Sequence, residues 1–474
     1  MLLTILFSAI ACYFVYSLGV ALYNITLHPL AKIPGRKIDA AFSFPSHWDI
    51  LTGDAVKKRK LLHDRYGHTV RVSPSLVSFT NAEAWQPIYG YQNPGRKQLD
   101  KGYYAEKGEV PSIFVANVPD HTRMRRLLNH AFSETALREQ EPLMNSYFDL
   151  LIQKLHEKIG SPTNGRVNIV RWFNFTLFDL VGDLCFGEDF DALKTEDYNF
   201  WIVNIFKGVK IGHIFVVLKA YPLIGKPIIK LMEAFPALQK GREKHDQYSK
   251  AKSERRLDKH TDRKDFISYI LRHNDEKGMS REEIIKTTNL LIIAGSETSA
   301  TLLSGAMFYL LKNPSTLKKL KLAKMPYLNA VLQEALRVYP PAPGLFSRKM
   351  LPGGAVINGY FIPANASVGV LQYGAFRSAS NFADPDSFIP ERWLEPREER
   401  FMEDKRNVLQ PFSVGPRNCI GQGLAMGEMR AILARVLWHF DFELCKGSEN
   451  WDQQKVFSLW EKGDLWVRIS KRGE

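Results

Sequence analysis

Cys419 lies in the run Phe412-Ser-Val-Gly415-Pro-Arg417-Asn-Cys419-Ile-Gly421, whose glycines permit tight turns and whose single thiol follows an arginine two residues upstream. A rigid loop of this kind can present sulfur to a metal, because the thiolate is the ligating form. The four cysteines, Cys12, Cys185, Cys419 and Cys445, are scattered without CxxC spacing, so neither a disulfide framework nor a zinc site accounts for them. Taken alone, a free cysteine reads as a small buried hydrophobe. Its neighbours point elsewhere, since Arg417 suggests an anionic group around the metal. Haem meets both demands: iron takes an axial sulfur, and the carboxylate edge of the macrocycle takes a guanidinium.

Further clusters carry chemistry of their own. Ala294-Gly295-Ser296-Glu297-Thr298 sits inside the apolar stretch from Leu290 to Leu311. A glutamate and several hydroxyls near its centre would be costly in lipid, so the stretch reads as a buried core helix. Gly295 allows a ligand to approach the backbone, and Thr298 can bond back to a carbonyl or to water. Glu334 and Arg337 stand at i, i+3 in a helical pattern stopped by Pro340 and Pro341, where their charges can pair. Arg392 in Pro390-Glu-Arg-Trp393 offers another guanidinium. His121 and Arg125 stand at i, i+4 on one helical face, both able to donate hydrogen bonds, and Arg348 closes a proline-rich segment that begins at Pro340.

Together these motifs resemble those of the cytochrome P-450 family, the haem-thiolate monooxygenases, from about residue 24 to about residue 470. The resemblance implies a mainly α fold with small β-sheets, and haem b bound through an axial thiolate from Cys419. It implies that Phe412, Gly415, Arg417 and Gly421 shape the cofactor loop, and that Ala294 and Gly295 make room for dioxygen. Glu297 and Thr298 would relay protons, and Glu334, Arg337 and Arg392 would form a buried ion network supporting the loop. His121, Arg125 and Arg348 would contact the haem propionates. Many family members have tryptophan where His121 stands, a change that keeps a donor and alters its shape. The chain has no recognisable flavin or nicotinamide domain, so the resemblance implies electrons from an external NADPH-dependent flavoprotein reductase. The run from Tyr23 to Gly35 is similar to fungal microsomal members, many of which serve secondary metabolism.

The elements that must position these residues are legible in outline. With 474 residues and 45% apolar content the chain can bury a large core, and no linker, repeat or low-complexity tract marks a boundary within it. Long amphipathic stretches dominate from Asp120 to Val338, whereas Ala355 to Leu371 reads as short strands around an Asn-Gly turn, and Val456 to Ile469 as a hairpin. Residues 1–23 are apolar enough to span a bilayer; residues 24–37 form a Pro/Gly/basic linker, and 38–474 a catalytic domain. Because Lys32, Arg36 and Lys37 follow the apolar run, the expected arrangement is a single-pass membrane anchor in the endoplasmic reticulum with the catalytic domain cytosolic.

A net charge of +14 admits several partners. No nucleic-acid motif is present and the basic residues are dispersed, which favours an acidic electron donor and membrane lipids. Gly421-Gln-Gly423-Leu-Ala-Met-Gly427 mimics a dinucleotide fingerprint, but its last spacing is one residue too long and no apolar strand precedes it. The leading reading is insertion of one oxygen atom from dioxygen into a lipophilic substrate. Apolar walls are expected from residues 103–117 and 201–235, from Leu345-Phe346 and from Ser458-Leu-Trp460. Two alternatives stay open: an oxygen-independent rearrangement or dehydration on the same scaffold, and a non-catalytic haem-binding protein or defective product. The last rests on the segment from Pro314 to Met325, which is shorter than in most of the family the motifs resemble.

Overall fold

The computed structural model describes residues 1–91, 98–102, 104, 108–259, 261–322 and 325–473. Its principal helices are α1 (Leu2–Thr26), α2 (Val118–Ala131), α3 (Glu134–Ile159), α4 (Ile169–Phe186), α5 (Phe200–Lys219), α6 (Pro222–Glu233), α7 (Pro236–Asp258), α8 (Arg281–Lys312), α9 (Pro314–Leu322), α10 (Met325–Val338) and α11 (Gln422–His439). The strands are short: β1 (Thr69–Ser73), β2 (Leu76–Phe79), β3 (Arg166–Asn168), β4 (Arg348–Lys349), β5 (Ala355–Ile357), β6 (Tyr360–Ile362), β7 (Ser367–Val370), β8 (Phe440–Leu444), β9 (Val456–Phe457), β10 (Leu459–Trp460) and β11 (Trp466–Lys471). The fold is thus mainly helical with small sheets, as the sequence implies. The helices group into two compact units, one of residues 1–102, 343–386 and 400–418, the other of residues 103–342, 387–399 and 419–474.

In the first unit a four-stranded sheet runs β1-β2-β7-β4, with β2 and β7 parallel and the other pairs antiparallel. Asn358 and Gly359 turn β5 into β6 with positive φ at both positions, the geometry that a two-residue hairpin turn requires. The segment 24–37 is packed rather than loose. Leu30 and Ile33 are buried, Asn24 donates to the Ala41 carbonyl, and the buried Arg71 of β1 donates to the Asn24 carbonyl at 2.7 Å. Helix α1 itself exposes Leu3, Phe7, Phe14 and Tyr16, an apolar surface on a helix that the rest of the unit does not cover.

The second unit is organised around α8. Ser280 caps this helix by accepting from the Glu283 backbone N–H while the Glu283 side chain accepts from Ser280 N, two orphan donors satisfied at once. Both α8 and α5 are long and apolar enough to cross a membrane, but α8 is mostly buried by its neighbours and serves as the core helix expected of it. One of those neighbours, α4, buries almost every side chain it carries and ends at Gly187, whose φ of 70° suits a left-handed cap. Strands β3, β11 and β8 form a separate sheet in that order. The expected single hairpin from Val456 to Ile469 is not what forms. Ser458, at φ 59°, reverses the chain after two residues, so β9 pairs only with β10, and β11 finds longer partners in β8 and β3.

Candidate active site

Within the second unit, Cys419 immediately precedes the turn into α11 and is exposed, yet its sulfur lies among enough protein atoms for desolvation to matter. Burial pushes the thiol up; the Gly421 backbone N–H and the nearby Arg125 guanidinium oppose that rise. A cation delivered to the sulfur would supply the missing stabilisation, since a coordinating thiol is deprotonated by the metal itself. Arg125 is half-buried on α2, where its Nε donates to Asn129 Oδ1 at 3.0 Å, and His121 one turn earlier is buried on the same face. Arg123, by contrast, is committed to structure, pairing with Glu283 at 2.7 Å and Asp120 at 3.0 Å.

Around residues 293–298 the long helix α8 opens part of its surface. Ile292, Ser296, Glu297, Ser299 and Ala300 are buried, whereas Ala294 is exposed and Thr298 half-buried. The Thr298 hydroxyl donates to the Ala294 carbonyl at 2.6 Å, the back-bond anticipated for it. Gly295 also bears on the packing of α8 against α4. A Cβ there would come within 3.2 Å of Val181 Cγ1, so the missing side chain lets α8 approach α4; the open surface at this level belongs to Ala294. Glu297 points to yet another neighbour: its Oε1 pairs with Lys462 Nζ at 2.7 Å, both side chains being buried.

The ion network is assembled in full. Arg337 clasps Glu334 through Nε at 2.9 Å and Nη2 at 2.8 Å, and Arg392 Nε reaches Glu334 Oε1 at 3.2 Å. Trp393 Nε1 and the Ile389 backbone N–H donate to the same carboxylate at 2.9 and 2.8 Å, two donors that sequence reasoning missed. Burial alone would raise the Glu334 carboxyl; Arg337 and Arg392, aided by the Ile389 N–H, override it and hold the group below the usual carboxylate range. Short as the connection before α10 is, with residues 323–324 outside those described, it leaves this network closed. Lys319 of α9 and Tyr327 of α10 both bond Glu391 Oε1, at 2.6 and 3.0 Å, which braces the two helices against the Pro390–Trp393 turn.

The first unit, taken by itself, holds a cationic cluster. Lys101, Arg348 and Arg417 lie close enough that the two guanidinium groups, added to burial as the larger cause, pull the Lys101 ammonium down to about 7. Three cations converging with one of them buried form a receptor for carboxylates. Lys101 was not legible as a site residue; it is brought in by a backbone bridge between Asp100 and Lys349, which pins its neighbour to β4. Arg348 lies over the Tyr89 ring at 5.0 Å, and Tyr89 in turn donates to the Phe346 carbonyl. Gly415 has φ 78°, and a Cβ there would lie 2.0 Å from the Tyr89 carbonyl oxygen, so the loop bearing Arg417 fits only with glycine at this point. Phe412 lies three residues before Gly415 in the same loop and is half-buried, as is Gly421 in the other unit. Of the expected substrate wall at 103–117, residues 103 and 105–107 lie outside the described residues.

Each unit by itself offers groups that suit haem: the second an accessible sulfur beneath a backbone N–H, the first a cluster of cations suited to carboxylates. The family model for Cytochrome P450 matches residues 49–466. The chain is 41% identical over 473 residues to the cytochrome P450 monooxygenase astJ of Aspergillus oryzae, covering 95% of this chain and 94% of that one. It is 42% identical over 479 residues to the cytochrome P450 monooxygenase astA of Talaromyces wortmannii, covering 96% and 95%. It is also 39% identical over 488 residues to an averantin hydroxylase of Dothistroma septosporum, covering 98% and 91%. A haem cofactor with a cysteine thiolate ligand follows from that relationship, and the chain belongs to the cytochrome P450 family of monooxygenases.

Proposed function

We propose that this protein hydroxylates a lipophilic organic substrate in fungal secondary metabolism, using haem b and electrons from an NADPH-dependent flavoprotein reductase. The single observation that carries the reading is Cys419, an accessible thiol in the fixed loop setting described above, in a chain whose relatives are named as monooxygenases. One relative is named for hydroxylation of averantin, which favours hydroxylation as the reaction type here. When bound, haem supplies the reductive activation of dioxygen, and the chain's own residues do the rest. Cys419 would hold the iron, and a thiolate in that position would supply the electron density that suits haem to oxygen activation. Lys101, Arg348 and Arg417 would hold propionates, and so would Arg125 and His121. Ala294 presents only a methyl group at the exposed level of α8, leaving space, while Thr298 keeps its hydroxyl there for proton transfer. An intact hydroxyl at that place favours oxygen chemistry over oxygen-independent rearrangement.

The test is the absorption spectrum of the reduced, carbon-monoxide-bound protein beside that of Cys419→Ala. A red-shifted Soret band present in the native protein and lost in the variant is the expected result; a histidine-type band in the native protein sinks the assignment. Turnover with reductase, NADPH and labelled dioxygen should place one labelled oxygen atom in the product.

A further inference from the structure

The second unit contains a cavity of about 630 Å³ bounded by residues of α4, α5, α8 and the segment from β9 to Asp464. That is the size of a site for a small organic molecule. Neither Ala294, Thr298 nor Cys419 lines it, so it is distinct from the open face of α8 and from the cysteine loop. Phe206, Phe457, Leu459 and Trp460 make its apolar walls. Trp460 is held in place, its ring stacked on Tyr339 at 4.6 Å and its Nε1 donating to the Pro340 carbonyl at 2.8 Å. This side of the cavity is therefore preformed.

The charges around the cavity cancel. Arg171 pairs with Asp197, Lys210 with Glu461 and Lys462 with Glu297, each at 2.7 Å, while Lys207 and Asp464 add one charge of each sign. An ionic guest of either sign would lose its hydration without gaining a free counter-charge. Two hydrogen-bonding positions are open, by contrast. Glu297 is 2% exposed, yet its Oε2 accepts from no described residue. The Tyr198 oxygen accepts from Asn174 Nδ2 at 2.8 Å, but its own proton goes to no described acceptor. Burial, with a smaller push from the Glu297 charge, raises that phenol to about 12, so it stays a donor at neutral pH. Leaving a buried carboxylate oxygen unsatisfied is costly, and a guest that donates to it removes the cost.

We propose that this cavity is a second small-molecule site, separate from the haem site, and that it takes neutral arenes carrying a hydroxyl group and a carbonyl group. The hydroxyl donates to Glu297 Oε2, the carbonyl accepts from the Tyr198 hydroxyl, and the ring lies against Phe206, Phe457 and Trp460. Entry is from the α5 side, where Lys210 and Glu461 are 53% and 48% exposed, so that parting them costs little. Beside that pair Ser458, at φ 59°, places its hydroxyl 3.1 Å from His213 Nε2 and ties the β9–β10 hairpin to α5. The site does not depend on the monooxygenase reading, because no residue assigned to haem lines it.

The probe is 4-hydroxybenzophenone, which carries both groups and bonds covalently to neighbouring C–H groups on irradiation. Native holoenzyme is irradiated with it at about pH 6, where the phenol is neutral and a carboxylate control is ionised, and labelled peptides are identified by mass spectrometry. Label is expected in residues 197–210 and 457–464, undiminished when 1-phenylimidazole saturates the haem iron, a state seen separately by its Soret shift. Tyr198→Phe should raise the half-saturating concentration at least fivefold, and Val209→Trp, which fills the cavity from its α5 wall, should abolish the label. Circular dichroism is recorded for both variants. Unsubstituted benzophenone and 4-carboxybenzophenone should each need at least tenfold more for equal labelling. No label in those segments, or its displacement by 1-phenylimidazole, overturns the site. Equal labelling by the carboxylate overturns the neutral ligand class, and unchanged affinity in Tyr198→Phe or for unsubstituted benzophenone overturns the polar contacts.

Discussion

Gly415 and Gly427 stand twelve residues apart on either side of Cys419, and the same substitution should act on them with opposite sign. At Gly415 a methyl group meets the Tyr89 carbonyl oxygen and the Gly90 Cα, at 2.0 and 2.9 Å, both backbone atoms that cannot swing aside, and φ is left-handed as well. Gly415→Ala should therefore cost at least about 2 kcal/mol and weaken haem retention. Gly427 lies exposed within α11, and a methyl group there would have no neighbour within 4 Å, so Gly427→Ala should stabilise by about 0.5–1 kcal/mol. Denaturation midpoints of the two variants, measured beside native protein, decide both; equal shifts would show that loop sterics do not govern Gly415. The same scale shows what sequence can and cannot reveal. Cys419, Thr298 and Glu334 were legible because each sits in a local pattern. Lys101 and Lys462 were not, because each meets its charged neighbours from far away in the chain: Lys101 meets Arg348 and Arg417, and Lys462 meets Glu297.

Helix pairs translate such contacts into stability. The Glu334 carboxylate accepts from five donors, two on Arg337 within α10 and three on Ile389, Arg392 and Trp393 that tie α10 to the Pro390–Trp393 turn, so Glu334→Ala should leave Arg337 and Arg392 buried without their counter-charge. Removing one partner of such a buried network costs roughly 3–5 kcal/mol, readable as a lowered urea midpoint and faster haem loss. The i, i+3 spacing made this pair visible in advance, whereas the Trp393 and Ile389 donors depend on a turn that periodicity does not describe. A second buried carboxyl, Glu428 of α11, has among the described residues only the Ser299 hydroxyl of α8 as a hydrogen-bond partner, at 3.4 Å, and burial raises it from 4.5 to about 8. Here the folded state binds the proton more tightly than the unfolded chain does. Its stabilising contribution is complete below about pH 4.5 and is lost as pH rises toward about 8, with a slope of up to about 1.4 kcal/mol per pH unit. Glu428→Gln should flatten the fall in stability between pH 5 and 8; a variant that keeps the native slope would place the titration elsewhere.

Over the whole molecule, the amino-terminal segment joins two roles that sequence separates too cleanly. The apolar side chains of α1 suit insertion into lipid, while Asn24 in its last turn and Leu30 and Ile33 just beyond it pack into the first unit. The join is narrow, for the Arg71 guanidinium, 1% exposed, spends one donor on the Asn24 carbonyl and another on the Pro74 carbonyl. Composition could mark where apolar residues stop; it could not show that a buried arginine on β1 needs a carbonyl from residue 24. Removal of residues 1–23 should consequently release the protein from membranes with its haem and unfolding midpoint unchanged. Removal of residues 1–33 should release it too, but strips Arg71 of an acceptor and the unit of two buried apolar side chains. The lost acceptor alone costs about 1–3 kcal/mol, and the lost burial adds to it. Membrane flotation combined with denaturation of both truncated forms separates the cases: flotation of the shorter deletion would mean that α1 is not the sole anchor, and equal stability of the two would mean that Arg71 does not depend on Asn24.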